Sequence, residues 1–274
     1  MRTPNLSVLL TLTIEVVIRA GQLLIAEWAR VGGPRGQGDK ASVDLEIEHL
    51  LRQQLLELFP CDFRGEETGH RLTGNSWCWV VDPNDGTSDF LNGLKGSALS
   101  AGLLYEQTPV LGVVFAPVTV EGVPDCIAWA EGLDNVIRNG KQVRTKLSTK
   151  TLSGDEFVMV SAAAINKPET NGELCKPGIF VAMPSIAYRL AKVAAGEGVC
   201  GVSLYPVCAH DVVAGHALLR GAGGVLLDEA GQSITYVAEA SMQTVSRRCF
   251  GGAESACQIL VARDWDRIFT EASR

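Results

Sequence analysis

The chain has 274 residues, a formal charge of −7, 46% hydrophobic residues and 20% charged ones. That length suits one large α/β unit or two lobes sharing a core, and the proportions are those of a soluble globular protein. The acidic balance excludes non-specific binding to a nucleic-acid polymer or an anionic membrane, which needs clustered Lys and Arg, and leaves phosphate binding to metals, helix N-termini or single basic residues.

The chain opens on an apolar run, "LSVLLTLTIEVVIRAGQLLIAEWARVGG". Glu15, Arg19, Gln22, Glu27 and Arg30 interrupt it at steps near three and four, which draws a polar stripe down one helical face. The expectation is a mostly buried first helix with no targeting or membrane-spanning segment, and a cytoplasmic protein. After the loop "GPRGQGDKAS", Leu45, Ile47, Leu50, Leu51, Leu55 and Leu58 recur at helical steps and predict a second helix, opened by Asp44. "FPCDFRGEETG" predicts a short strand ending in Glu66 and Glu67, "SWCWVVD" a strand, and "GTSDFLNG" a short helix or turn. "SALSAGLLYEQTPVLGVVFAPV" reads as an antiparallel pair, and "CIAWAEGLDNVIRNGKQVR" adds two short strands around an Asn-Gly turn.

From Ser148 onward strands and helices alternate, from "EFVMVSAA" to a last helix "ESACQILVARDWDRIFTEAS". The predicted class is α/β: an α+β N-terminal lobe over residues 1–147 and an α/β C-terminal lobe over 148–274. None of the eight cysteines forms a CxxC pair and most sit in apolar runs, so reduced, buried thiols are expected. Cys200, Cys208 and His210 fit no zinc-finger spacing. "GEGVCG" spells a dinucleotide fingerprint but follows a helix and precedes a strand, the reverse of the order that binds a cofactor.

The chemistry concentrates in "WVVDPNDGTSDF". Magnesium takes hard oxygen ligands, and Asp82, Asp85, Glu66 and Asp211 supply them from three places in the chain, with Asp44 a further acid. Pro83 stiffens the turn so that Asp82, Asp85 and the Asn84 carbonyl can converge. Gly86 allows close backbone approach, and the N–H groups of Gly86 and Thr87 can face a phosphate. Taken alone, the same residues also make an ordinary strand-to-turn transition with a capping Asp.

"WVVDPNDGTSDF" resembles the motif W-[IV]-[IV]-D-P-[IL]-D-G-T-x-x-F of the inositol monophosphatase family. "GEE" at Gly65–Glu67 is similar to that family's preceding motif, and "AHDVVAGHALLRGAGGVLLDEAG" to its C-terminal one, in the same order over nearly the whole chain. The resemblance implies a layered α/β/α/β/α sandwich and Mg²⁺ held by Glu66, Asp82, the Asn84 carbonyl, Asp85 and Asp211. It implies Glu66, Thr87 and Asp44 around a metal-activated water, with Gly86, Thr87, Ser88, Ala187 and Arg189 on the substrate side. The implied function is a Mg²⁺-dependent, lithium-sensitive phosphomonoesterase, often a homodimer, acting on a small phosphorylated polyol or sugar; a 3′(2′),5′-bisphosphate nucleotidase and a non-catalytic phosphate-ligand binder are the alternatives. Departures stand at His210, where the family has Trp, at Asn84, usually Ile or Leu, and at Pro184, commonly Gly. No acid lies between Ser203 and Asp211 where inositol-specific members carry a Glu. Arg189 is either a contact for a second phosphate or a solvated residue on an amphipathic helix. Adjacent strand residues point to opposite faces, which sets Glu67 behind Glu66.

Overall fold

The computed structural model describes residues 3–236 and 243–270. Helix α1 (Leu6–Trp28) begins where the Asn5 side chain accepts the Val8 N–H at 3.2 Å, and it buries Leu10, Val17, Ala20 and Leu24. It is long and apolar enough by composition to cross a membrane, yet it packs beside α2 (Ser42–Leu58) and onto a sheet. The two-residue strands β1 (Gly36–Gln37) and β2 (Lys40–Ala41) form a small ribbon just before α2.

The large sheet has eight strands: β3 (Asp62–Gly65), β4 (His70–Arg71), β5 (Trp77–Asp85), β6 (Ala98–Tyr105), β7 (Thr108–Ala116), β8 (Asp125–Ala130), β9 (Val136–Arg138) and β10 (Lys141–Val143). Their order is β10-β9-β8-β7-β6-β5-β3-β4; β3 and β5 run parallel and the other neighbours antiparallel. Helix α3 (Thr87–Leu91) follows β5 directly. The second sheet has five strands, β11 (Phe157–Val160), β12 (Ile179–Ala182), β13 (Cys200–Ser203), β14 (Val225–Leu227) and β15 (Cys249–Gly252), in the order β12-β11-β13-β15-β14. Helices α4 (Pro168–Cys175), α5 (Ile186–Ala194), α6 (Ala209–Gly221), α7 (Glu254–Val261) and α8 (Arg267–Thr270) follow, with short 3-10 turns at Leu147–Thr149 and Ala162–Asn166.

Strand alternation sorts the layers. Leu103, Leu111 and Val113 join α1 and α2 in one core, whereas Cys78, Val80 and Val114 join α5 and α6 in the other. On β13, Gly201 faces Leu190 of α5 while the Cys200 thiol lies 3.6 Å from that of Cys257 on α7. The result is helices, sheet, helices, sheet, helices, as the resemblance implied. Helix α6 sits close against the large sheet because Gly102 and Gly112 leave room for it: a Cβ at Gly112 would stand 2.3 Å from the Ala214 carbonyl oxygen.

The predicted elements are present with shifted ends, but the expected loop before α2 carries β1 and β2, β4 was not expected, and three strands, β8 to β10, stand where two were expected. Strand β3 stops at Gly65, so Glu66 and Glu67 lie just beyond it. The expected last helix breaks after Val261 and resumes as the single turn α8, and its final residues, 271–273, lie outside the described ones. All eight cysteines are free thiols, six of them buried.

Candidate metal centre and active site

Strand β5 delivers two carboxylates to one point by breaking its own rhythm. Asp82 and Asp85 have opposite parity and should face opposite sides of the sheet. Between them the register slips: Asp82 pairs with Ser100 and Asp85 with Ala98, so three steps on β5 oppose two on β6. This one-residue bulge turns Asp85 to the side of Asp82, toward α5 and α6. The neighbour Asn84 keeps its side chain toward α2, and its backbone N–H donates to Asp82 Oδ1 at 2.8 Å.

Asp211 comes from the first turn of α6, where its carboxylate accepts the Cys208 N–H. One carboxylate oxygen from each of Asp82, Asp85 and Asp211 lies within 4.8 Å of the others, and Glu66, Asp82 and His210 form a second such group. Asp85 is further held at the start of α5, accepting the Ser185 hydroxyl and the Ala187 N–H at 2.6 Å each. Gly86 follows at φ +94, a conformation open to glycine, with a would-be Cβ 3.1 Å from Ser185 N.

On the other side of the bulge, Asp44 receives three donors. Asn84 Nδ2 reaches its Oδ1 at 3.0 Å, and Thr87 Oγ1 (3.1 Å) and the Ala41 N–H (3.3 Å) reach Oδ2. Thr87 Oγ1 also lies 2.7 Å from the Asn84 carbonyl oxygen. The Gly65–Thr68 turn carrying Glu66 is moored by Glu48, whose buried carboxylate accepts the N–H of Glu67 (2.8 Å) and of Thr68 (2.6 Å). Gly65 has to be small there, since a Cβ would stand 2.0 Å from the Glu48 carboxylate.

The electrostatics follow from crowding. Burial and mutual repulsion push the carboxyls of Glu66, Asp82 and Asp85 above the usual range, and burial does the same to Asp211. Burial also lifts Asp44 to about 6, against the pull of its bonds to Asn84, Ala41 and Thr87. Among the described residues, Asp82, Asp85 and Asp211 form no ion pair with lysine or arginine. Convergent hard oxygens without an ion-paired Lys or Arg, offset only at Asp85 by the charge of Arg189, fit a divalent cation.

Four of the five expected cation ligands, Glu66, Asp82, Asp85 and Asp211, meet by their carboxylates; Asn84 lies between two of them in the chain, and the contact described for its carbonyl oxygen is to Thr87 Oγ1. Two substrate-side expectations meet a different arrangement. Arg189 is buried, so it is not a solvated helix residue; its Nε donates to the Ser185 carbonyl at 3.2 Å and its Nη1 to that of Val202. Ala187, expected on the substrate side, gives its N–H to Asp85. Cys200 lies beside Cys257 in the core, and it is Asp211, not Cys200, that joins Cys208 and His210. His216 packs inside, its Nδ1 3.0 Å from the Tyr236 hydroxyl. Sequence reasoning missed Glu48, Ser185 and the side chain of Asn84. Only Ser185 carried a local signal, as an N-cap three residues before Tyr188, whose N–H its hydroxyl accepts at 3.0 Å. A cavity of about 600 Å³ on the far side of α5, lined by Met159, Met183, Tyr188 and Lys192, contains none of these carboxylates.

A layered sandwich with a convergent carboxylate cluster at its bulged strand defines a metal-dependent phosphatase scaffold for small metabolites. The comparisons agree: the profile of the inositol monophosphatase family matches residues 5–260, and the chain belongs to that family. It is 30% identical over 240 residues to an inositol-1-monophosphatase of Rhizobium meliloti, covering 82% of this chain and 87% of the relative. To a fructose-1,6-bisphosphatase/inositol-1-monophosphatase of Aquifex aeolicus it is 27% identical over 248 residues, covering 81% and 86%. The solved inositol monophosphatase of Anabaena shares the fold with a TM-score of 0.70 at 22% identity, over 94% of this chain and 95% of that one.

Proposed function

We propose that the protein is a Mg²⁺-dependent phosphomonoesterase that hydrolyses a small polyol or sugar monophosphate by attack of water. The observation that carries this is the pairing of Thr87 with Asp44 beside carboxylates that form no ion pair with Lys or Arg among the described residues. Glu66, Asp82, Asp85, Asp211 and the Asn84 carbonyl would hold the cation, which supplies Lewis-acid polarisation of the phosphoryl oxygens and a more acidic water. Thr87 offers its hydroxyl as a relay: a proton accepted at Oγ1 passes to Asp44 Oδ2, 3.1 Å away. Burial suits Asp44 to the task, because a carboxyl lifted to about 6 takes a proton near neutrality. The N–H groups at the start of α3, beyond Gly86, orient the phosphate, and the bulge fixes their distance from the carboxylates. The monophosphate reading is favoured over a bisphosphate nucleotidase because Arg189, the residue suited to a second phosphate, already donates to two backbone carbonyls.

The test is phosphate release with Mg²⁺, with and without Li⁺, from inositol 1-phosphate, fructose 1,6-bisphosphate, adenosine 3′,5′-bisphosphate and histidinol phosphate. Preference for a monophosphate, abolished by chelation and depressed by Li⁺, is expected. Release that survives chelation, or none from any compound by folded, cation-loaded protein, overturns the proposal.

A further inference from the structure

Strands β3 and β5 lie side by side and parallel, with Gly65 opposite Val81 as their last pair. Glu66 and Asp82 stand one step further on each strand, so the register itself brings both acids to the same end of the sheet. There the hold of the sheet on this segment stops. Strand β3 ends at Gly65, whose N–H turns back to the Gly69 carbonyl at 3.0 Å. A functional side chain on a turn is placed less well than one on a strand, unless neighbouring groups fix the backbone around it.

Helix α2 supplies those groups. The carboxylate of Glu48 is wholly buried; its Oε2 accepts the Glu67 N–H at 2.8 Å, and its Oε1 accepts the Thr68 N–H at 2.6 Å and the Thr68 hydroxyl at 2.5 Å. An ionised acceptor makes such bonds short and strong, and both oxygens are committed to the turn. The Thr68 hydroxyl gives its one proton to Glu48 and accepts in turn from Arg52 Nη1 at 2.9 Å, which also reaches the Thr68 carbonyl at 3.3 Å. Arg52 lies over the Phe63 ring of β3, 5.0 Å from its centre. Gly65 abuts the Glu48 carboxylate and Glu67 donates to it, so the residues on both sides of Glu66 are fixed against one side chain. Asp44, Glu48 and Arg52 follow at four-residue steps on one stripe of α2, about 6 Å apart along its axis. Asp44 holds Asn84 and Thr87, and Glu48 and Arg52 hold the turn that carries Glu66. One helix thus spaces the two halves of the site.

We propose that Glu48, backed by Arg52 through Thr68, is a positioning residue that sets the place of Glu66 in the cation site, with α2 as the gauge between Glu66 and the Asp44–Thr87 pair. The inference rests on the cation-site reading above and adds to it residues that touch neither cation nor substrate. Glutamine at position 48 keeps the length of the side chain but turns one acceptor oxygen into an N–H donor, which then faces a donor of the turn. The turn has to move away, and it takes Glu66 with it. A displacement of about 1 Å at a reacting centre costs on the order of a hundredfold in rate.

The test compares Glu48→Gln with Leu55→Ala, which opens the core beneath the same helix without touching the turn. Urea unfolding ranks the two for stability. With inositol 1-phosphate, Glu48→Gln should lower kcat about 10- to 100-fold and raise half-saturating Mg²⁺ about tenfold, with KM for the substrate little changed. Leu55→Ala should lose stability and keep the Mg²⁺ half-saturation of the parent. In metal-free protein, hydrogen exchange at the Glu67 and Thr68 amides should speed up in Glu48→Gln about tenfold more than at the amides of α2. Thr68→Val removes the hydroxyl and keeps both N–H bonds, so it should raise half-saturating Mg²⁺ about threefold. If Glu48→Gln does not fold, that shift in Thr68→Val decides the matter. Parent kcat and Mg²⁺ half-saturation in Glu48→Gln overturn the proposal, as does an equal Mg²⁺ shift in Leu55→Ala at matched loss of stability. So do Glu67 and Thr68 amides that exchange no faster than those of α2. A parent protein that binds no Mg²⁺ or releases no phosphate instead sinks the cation-site or catalytic reading, and amide exchange in metal-free protein still decides whether Glu48 holds the turn.

Discussion

Two of the regions in which this molecule buries charge treat it in opposite ways. Beneath β8, Asp125 accepts Arg138 Nε and Nη2 and the Tyr188 hydroxyl at 2.8 Å each, and Glu197 bridges Arg138 and Lys192. Side-chain bonds there outweigh burial and hold the carboxyls of Asp125 and Glu197 below their usual range. At the end of β5, Asp82, Asp85 and Asp211 are brought together without an ion pair to Lys or Arg; the charge of buried Arg189 pulls on Asp85 alone of the three, and all three carboxyls are still held above that range. Chain length and sheet geometry do not force this contrast, since Arg138 and Lys192 show that this fold can place a cation wherever a buried carboxylate needs one. A cluster left unneutralised beside an otherwise well-paired core is one that waits for a cation from outside.

The largest expected effect comes from breaking the unpaired cluster. Asp82→Asn keeps the shape and removes the charge that both groups of ligand atoms share. It should lower Mg²⁺-dependent phosphate release by at least about a thousandfold, the worth of several kcal/mol of charge stabilisation. In metal-free protein the same change should raise the melting temperature, because a repelling buried charge is gone. Thermal scanning in chelator decides it: destabilisation would mean that the cluster is held by bonds other than those described. The paired region predicts the reverse. Arg138→Met leaves Asp125 and Glu197 without their shared partner and should cost about 2–3 kcal/mol by urea unfolding, below the full cost for a wholly buried pair because the Arg138 side chain is 25% exposed.

The pH dependence sharpens the comparison further. Asp44 is raised from 3.8 in a free aspartate to about 6, and the clustered acids move in the same direction. A raised carboxyl stabilises the fold fully below the unfolded value, and that contribution is lost as pH climbs through about 6. Asp125 and Glu197 have the opposite sign, contributing above the ordinary carboxylate range and losing it as pH falls through their lowered values. Metal-free protein should therefore melt lower at about pH 7.5 than at about pH 5, and Mg²⁺ should restore far more at the higher pH, where the carboxylates are ionised. Equal effects of Mg²⁺ at both pH values would contradict the assignment of these acids as ligands.

The two sides of the site differed in how far the sequence revealed them. The ligands were legible because a strand, a proline turn and acids recurring in a known order are local patterns; Asp82, Asp85 and Glu66 needed no tertiary information to be suspected. Arg189 was not legible in the same way. A lone arginine in an amphipathic pattern says nothing of the carbonyls of Ser185 and Val202 that surround it. Glu48 was hidden for a related reason: it is an acid on the buried face of α2 with Ile47, Leu51 and Leu55, and only the close approach of Gly65 shows that its carboxylate moors the next turn. The bulge was invisible because it is a property of pairing between β5 and β6, not of either strand alone.

The smallest expected effect tests how Asp85, tied to the start of α5, is positioned. Ser185 adopts φ +55, outside the comfortable range of a non-glycine residue, while its hydroxyl donates to Asp85 and accepts the Tyr188 N–H. Two substitutions separate these contributions. Ser185→Ala removes the hydroxyl and keeps the strained backbone, so it should destabilise by about 1 kcal/mol as a lost cap and weaken Mg²⁺ binding about tenfold. Ser185→Gly removes the hydroxyl and relieves the strain, so its stability should lie close to that of the parent while its Mg²⁺ affinity falls as far as that of Ser185→Ala. Calorimetric titration with Mg²⁺ alongside thermal unfolding reads both quantities. If affinity tracked stability across the two variants, the hydroxyl would be only a helix cap; if affinity fell equally while stability diverged, Ser185 would orient Asp85 for the cation, a strained residue kept for the ligand it aims.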